Sequence, residues 1–171
     1  MSQDWSRRRD IDLLADEQVS VDFVIPLAEL PRLRPQLATA ASSASGHVRF
    51  DRLEGAAVAE IDVSACVTLT CQRCLGPVEY ALHSAGRVAM VADAGQADRA
   101  PAGLETILAP ERRLSVRDLV EEELLLALPI VPLHASADCG RSGASSPTEA
   151  ASGEERHRPF ERLDELLKRR Q

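Results

Sequence analysis

The longest pattern in the chain is an alternation of apolar and polar residues. From position 57 to 71 every odd position is apolar, whereas the even positions from Glu60 onward carry Glu, Asp, Ser, Cys and Thr. A period of two over this length is typical of a long antiparallel strand with one face in the core and one in water. The alternation resumes from position 78 to 90, so we expect a second strand and a hairpin whose turn lies at or beside 71–74.

Two shorter patterns precede this hairpin. In positions 19–26 the odd residues Val19, Val21, Phe23 and Ile25 place apolar side chains on one face, which predicts a strand. Positions 27–42 carry leucines at helical spacing, but Pro31 and Pro35 interrupt them. Because proline removes a backbone donor and clashes with the preceding turn, only short or broken helix is expected there.

The clearest helix signal covers positions 115–128. Ser115 is a suitable N-cap, Asp118 has the capping-box spacing, and Pro129 ends the pattern. The apolar stripe is wide enough to imply burial on two sides. The acidic run 121–123 has two interpretations: a solvated helix face, or a surface that suits a basic protein partner.

These signals predict an α+β protein whose core is an antiparallel β-sheet or a partly closed barrel, with peripheral helices and a flexible C-terminal segment. We assign residues 1–133 to a single domain. Residues 134–158 are rich in Ser, Ala and Gly and are expected to form a flexible loop. Residues 159–171 place Phe160 and three leucines at helical spacing, which predicts a helical tail that docks on the domain or on a partner.

Composition narrows the class of protein. The 171 residues carry a net charge of −7 and only 3% aromatics, which argues against binding polyanions by bulk charge. Basic clusters remain at 7–9 and 168–170. No apolar run approaches the roughly 18 residues of a membrane helix, and the first residues lack the apolar region of a signal peptide. We therefore expect a cytoplasmic protein with no membrane partner.

Cys71 and Cys74 form a C-x-x-C pair with three conceivable roles. A redox dithiol is disfavoured, because strand alternation follows the pair where a redox motif would begin a helix. A zinc site is chemically reasonable if Cys139 and His134 complete a set of three Cys and one His. Alternatively, the two cysteines are small hydrophobic residues packed at a turn. Cys66 falls on the polar face of its strand and is a poor candidate ligand.

Catalytic motifs are not evident in the sequence. It has neither a glycine-rich phosphate loop nor a nucleophile elbow, and its four histidines are scattered. The sequence therefore predicts a protein that is not an enzyme and has no small-molecule substrate.

Three motifs in order resemble the bacterial YceD family of large ribosomal RNA subunit accumulation proteins. They are "LTCQRCLGP", "LVEEELLLALPIVPLHASADC" and "RPFERLDELLKRR". The resemblance implies a non-enzymatic role in 23S rRNA synthesis, processing or stability during large-subunit assembly. Arg158 stands where relatives often have Asn, and Cys139 stands alone where some relatives carry a further cysteine cluster.

Two partner classes follow from this resemblance. The first is 23S rRNA or a pre-large-subunit particle, bound through phosphate contacts. The second is a ribosomal protein or an rRNA-processing enzyme, for which the chain would be an adaptor. Candidate contact residues in either case are Gln72, Arg73, Pro159 and Phe160, with zinc as a candidate cofactor on Cys71, Cys74, His134 and Cys139.

Overall fold

A sheet of five strands is the framework of the computed structural model, which describes residues 4–136 and Cys139. All of these residues belong to one compact unit, Met1–Cys139. Within them the strands are β1 Arg9–Asp10, β2 Ser20–Pro26, β3 Ser43–Leu53, β4 Ala56–Thr70, β5 Pro77–Val91, β6 Glu105–Leu108 and β7 Arg113–Leu114. The helices are α1 Ile11–Asp16 and α2 Val116–Ala127.

The sheet runs in the order β2-β3-β4-β5-β6, and only the last pair is parallel. The two short strands β1 and β7 pair separately as an antiparallel ribbon. Helix α1 packs on β3 and β4, and α2 packs on β4 and β5. The predicted α+β class is confirmed, with the sheet rather than the barrel as its core.

The alternation in β4 has the expected consequence. Its odd positions from Ala57 to Leu69 are buried, Cys71 extends the buried series, and the even positions from Glu60 onward are exposed or half-buried. Strand β5 pairs with β4 along its length, from Val58 opposite Ala89 to Thr70 opposite Pro77. The predicted hairpin is therefore confirmed, and its tip lies at 71–76.

The leucine-rich stretch after β2 forms two short 3-10 turns, Leu27–Glu29 and Arg34–Gln36. This agrees with the broken helix that the prolines predict. Leu27, Leu30 and Leu33 are fully buried, so the segment contributes side chains to the core without a regular helix.

Helix α2 begins as predicted, with the reciprocal capping box of Ser115 and Asp118. Its acidic run, however, is not the exposed face that we had considered. Glu121 is buried and accepts the backbone N–H groups of Arg32 and Leu33. Glu123 is buried and accepts a hydrogen bond from Ser84. Both carboxylates have structural partners because the wide apolar stripe places that side of the helix against the domain.

Part of the predicted organisation lies outside the described residues. This applies to the tail 159–171 and to most of the loop 134–158, which remain predictions. None of the helices among the described residues is long and apolar enough to cross a membrane.

Candidate metal centre

The tip of the β4–β5 hairpin is a tight turn built on Cys71. The Cys71 N–H donates to the Gly76 carbonyl at 2.9 Å, and the Leu75 N–H donates to the Cys71 carbonyl at 2.9 Å. Leu75 adopts a left-handed φ of 59°, a conformation that is uncommon outside glycine and turns the chain sharply. The turn places the buried Cys71 and the half-buried Cys74 on the same side of the tip.

The segment that follows α2 lies against this tip. The Gln72 N–H donates to the Pro132 carbonyl at 2.9 Å. The Tyr80 hydroxyl donates to the Leu133 carbonyl at 2.7 Å and accepts the Leu133 N–H at 2.8 Å. These three bonds fix the backbone on both sides of position 133, and they bring His134 to the hairpin.

Four ligand atoms converge at the tip. The Cys71 and Cys139 sulfurs are 3.9 Å apart, and the Cys74 sulfur lies 3.4 Å from the His134 Nδ1. A tetrahedral zinc site with Zn–S of about 2.3 Å and Zn–N of about 2.0 Å has edges of roughly 3.5–3.8 Å. All four ligand atoms lie within 4.8 Å of one another, and they belong to Cys71, Cys74, His134 and Cys139.

The imidazole of His134 is held by both ring nitrogens. Its Nε2 lies 3.0 Å from the Pro77 carbonyl, which can only accept a hydrogen bond. The Nε2 therefore carries the proton, and the lone pair of Nδ1 faces Cys74. A metal-bound histidine in proteins is usually oriented in this way, by a carbonyl or carboxylate that accepts its other N–H.

Arg73 lies beside the cluster. Its Nη1 donates to the Ser136 carbonyl at 2.8 Å and lies 3.5 Å from the Cys139 sulfur. Three thiolates and one zinc ion leave a net charge of −1 on the site, and the guanidinium partly offsets it. Gln72 is exposed, and its side chain donates to the Thr70 carbonyl at 3.3 Å.

The thiols of Cys71 and Cys139 differ in acidity. Burial raises the pKa of Cys71, but hydrogen bonds from the backbone N–H groups of Cys74, Arg73 and His134, and from the His134 side chain, lower it to about 5. Burial raises the pKa of Cys139, and the neighbouring sulfurs of Cys71 and Cys74 raise it further. Metal binding requires the cysteines as thiolates, which repel one another. A divalent cation bound between the sulfurs would offset this repulsion.

The chemistry of this donor set favours zinc. Thiolate and imidazole ligands in tetrahedral arrangement suit Zn²⁺, and C-x-x-C at a hairpin turn is a common source of two of them. A redox dithiol would place the pair at the start of a helix, whereas a turn and then β5 follow here. Cys66 is exposed on the polar face of β4 and lies outside the cluster, as its phase predicts.

The structure thus brings together the four candidate ligands suggested by the sequence, although His134 lies 60 positions from Cys74 and Cys139 lies 68 positions from Cys71. It also shows supporting groups that sequence reasoning missed, namely Tyr80 and the carbonyls of Pro77 and Pro132. The available signal for Tyr80 was that it is the chain's single tyrosine and lies six residues after the C-x-x-C pair; backbone carbonyls leave no signal in the sequence. Pro159 and Phe160 lie outside the described residues.

The fold and the site define an α+β protein with a Cys₃His cluster at the tip of a long hairpin. Comparison with known proteins extends this description. Residues 59–167 match the family model described as large ribosomal RNA subunit accumulation protein YceD, and the chain belongs to this family. The protein of that name from Haemophilus influenzae is 33% identical over 133 residues, which cover 75% of this chain and 76% of the relative. No solved structure matches the chain.

Proposed function

We propose that the protein is a non-enzymatic ribosome-biogenesis factor that supports 23S rRNA synthesis, processing or stability in large-subunit assembly. Membership of a family named for large ribosomal RNA subunit accumulation supports this role. The structural observation that supports this role is the convergence of the four candidate ligands, three Cys and one His, at the hairpin tip.

A zinc ion on these ligands would contribute structure and not reaction chemistry. The protein would fill all four coordination positions, which is the arrangement of structural zinc sites. The ligands join the β4–β5 tip to the segment after α2, and Arg73 and Tyr80 brace the same junction. Such a site would fix the tip and leave Gln72, one of our candidate contact residues, exposed at the end of the sheet, whereas the other, Arg73, donates to the Ser136 carbonyl.

Complementation of a strain that lacks the gene tests this proposal. The strain receives the wild-type chain, Cys74→Ser, or the matched control Cys66→Ser, which removes an exposed thiol outside the cluster. We expect the deletion to lower the ratio of 23S to 16S rRNA, and wild type and Cys66→Ser to restore it. Cys74→Ser should restore it poorly. An unchanged ratio in the deletion strain would refute the role itself.

Exposed apolar side chains favour a second candidate function, an adaptor for a ribosomal protein or an rRNA-processing enzyme. Ile130 is fully exposed, and Val131 and Leu75 are also largely exposed. The hydrogen bond between Gln72 and Pro132 places these residues around one junction. Apolar side chains displayed beside a rigid site are typical of protein-binding surfaces.

Affinity capture with and without nuclease separates the two functions. A phosphate-binding factor should lose its ribosomal partners when RNA is digested. An adaptor should retain a defined protein, and Ile130→Ser with Val131→Ser should release it. Val24→Ser is the control, because Val24 is an apolar side chain on β2 about as exposed as that of Val131.

A further inference from the structure

A cluster of arginines lies where the β1–β7 ribbon meets α1. The residues there line a surface cavity of about 560 Å³. Four of the six lining residues are arginines, which is unusual for a chain with a net charge of −7. The lining residues are Arg7, Arg8, Arg9, Asp10, Leu13 and Arg113.

Strand pairing fixes the positions of these arginines. Asp10 of β1 is paired with Arg113 of β7, and the Arg113 guanidinium donates to the Arg8 carbonyl at 2.9 Å. The Arg8 side chain reaches Asp118 at the start of α2, at 3.3 Å. Two distant parts of the chain are therefore held together so that their guanidinium groups border one cavity.

The nearby carboxylates do not neutralise this cavity fully. Asp10 accepts the N–H groups of Asp12 and Leu13 as the N-cap of α1. Asp118 is shared between Arg8 and the capping box of α2. Within the described part of the chain, neither Arg7 nor Arg9 forms an ion pair.

Two other arginines of this region do form ion pairs. Arg52 binds both Asp12 and Asp16, and Arg112 also binds Asp12. Their charges are already offset by carboxylates. In this region the positive charge without a carboxylate partner therefore lies at the cavity, where Arg7 and Arg9 are available to an anionic ligand.

We propose that this cavity binds phosphate groups of an RNA backbone. Guanidinium groups match phosphate oxygens in geometry and charge, and a local cluster in an otherwise acidic protein limits indiscriminate binding. The low aromatic content fits contacts to the backbone better than stacking on bases. This inference rests on the proposed function and places its RNA contact at the ribbon, apart from the hairpin tip where Arg73 is engaged with Ser136.

Binding of a fluorescein-labelled 23S rRNA transcript by the full-length protein tests the inference. Anisotropy is measured over a range of KCl concentrations for wild type and for Arg7→Gln/Arg9→Gln. The control is Arg49→Gln/Arg87→Gln, which removes the same charge from a cavity on the polar face of the sheet. Thermal unfolding of each variant verifies that the fold is retained.

We expect the Arg7→Gln/Arg9→Gln variant to bind the transcript about tenfold more weakly, uniformly across RNA sequences. The slope of log K against log salt should become shallower by about 1 to 2, because two phosphate contacts are lost. The control should remain within about twofold of wild type. Equal losses in the two variants would indicate bulk charge and overturn the inference, as would failure of the wild type to bind RNA while it captures a protein.

Expression of the same variants in the deletion strain distinguishes failure of this inference from failure of the proposed function. If the deletion leaves the 23S to 16S ratio unchanged, the proposed function is wrong. If wild type and Arg7→Gln/Arg9→Gln restore the ratio equally and bind the transcript equally, the function stands and the ribbon cavity is not the RNA site.

Discussion

The two ring nitrogens of His134 have different surroundings, and this difference defines its role. Nε2 faces the Pro77 carbonyl and Nδ1 faces the Cys74 sulfur. A histidine that only filled space would not need a partner on each nitrogen. The arrangement is that of an oriented ligand, whose basicity and direction are set by the group behind it.

If His134 is a zinc ligand, its replacement should greatly weaken zinc binding. Native mass spectrometry of the wild-type protein should show one zinc ion per chain, and His134→Ala should lower the zinc affinity by at least about a hundredfold, since even loss of a supporting hydrogen bond costs 10–100-fold. His83→Ala is the control, because His83 is an exposed histidine on β5. Zinc retained by His134→Ala with wild-type affinity would exclude His134 as a ligand.

Cys71 makes the stability of the metal-free protein depend on pH. Its pKa is about 5 in the folded state and about 8.5 in an unfolded chain. The unfolded state therefore binds a proton that the folded state does not, so the free energy of unfolding rises with pH between these values. The stabilisation is fully present above the unfolded pKa and is lost as the pH falls through about 5.

Urea unfolding of the metal-free protein at pH 5, 6, 7 and 8 measures this dependence. Stability should increase across the series, and Cys71→Ser should reduce the increase. Cys66→Ser should leave it unchanged, because the Cys66 thiol is exposed. Identical pH profiles for Cys71→Ser and the wild type would show that the Cys71 thiolate does not cause the pH dependence of stability.

At the scale of elements, the pairing of β3 with β4 depends on one glycine. Gly46 lies opposite Val63, and a Cβ atom at position 46 would lie 2.0 Å from the Asp62 carbonyl oxygen. That distance is far inside van der Waals contact, and the obstacle is backbone, which cannot rotate away. The close approach of the two strands therefore requires the absence of a side chain.

Gly46→Ala should lower the free energy of unfolding by about 3 kcal/mol or more, as expected when a packed region is forced apart. Gly86→Ala in β5 should change it by less than about 1 kcal/mol, because nothing lies within 4 Å of a Cβ atom there. Chemical denaturation of both variants gives the comparison. A loss of similar size in the two would mean that strand propensity, and not the contact with Asp62, sets the cost.

Elements with a strong local signal were predictable, and elements defined by distant partners were not. β4, β5 and α2 follow from alternation and capping, which are properties of consecutive residues. β3 begins with Ser, Ala and Gly, which are weak strand formers, and it is a strand because it pairs with β2 and β4. β6 has four residues, and its parallel pairing with β5 leaves no local pattern.

In the candidate site, too, residues close in sequence were predictable, whereas contacts between distant residues were not. The C-x-x-C pair was evident because its two residues are close in sequence. Cys139 and His134 could be named as donors, but their distance from the pair depended on the packing of α2 and on the bonds of Tyr80. The acidic run of α2 was expected to be exposed. Its burial was not predictable, because the backbone N–H groups that Glu121 accepts belong to the distant residues Arg32 and Leu33.

For the molecule as a whole, the cluster closes a long loop. Cys71 and Cys139 are separated by 68 positions, and the chain between them includes β5, β6, β7 and α2. A metal ion held by such distant positions would stabilise the folded chain, in which alone the four donors meet, and would secure the segment after α2 against the sheet. The metal should therefore affect the region around the hairpin tip more than the centre of the sheet.

Removal of zinc by a chelator should lower the melting temperature by about 5–10 °C. Free zinc at a hundred times its dissociation constant adds about 2.7 kcal/mol, and each kcal/mol shifts the melting temperature by roughly 2–4 °C in a domain of this size. Hydrogen exchange should increase at 71–76 and 130–136, where the bonds from Gln72 to Pro132 and from Leu133 to Tyr80 lie. The β3–β4 amides should retain their protection. Uniform loss of protection across the sheet would instead show that the metal holds the whole domain, and no change at the tip would show that the cysteines hold it without metal.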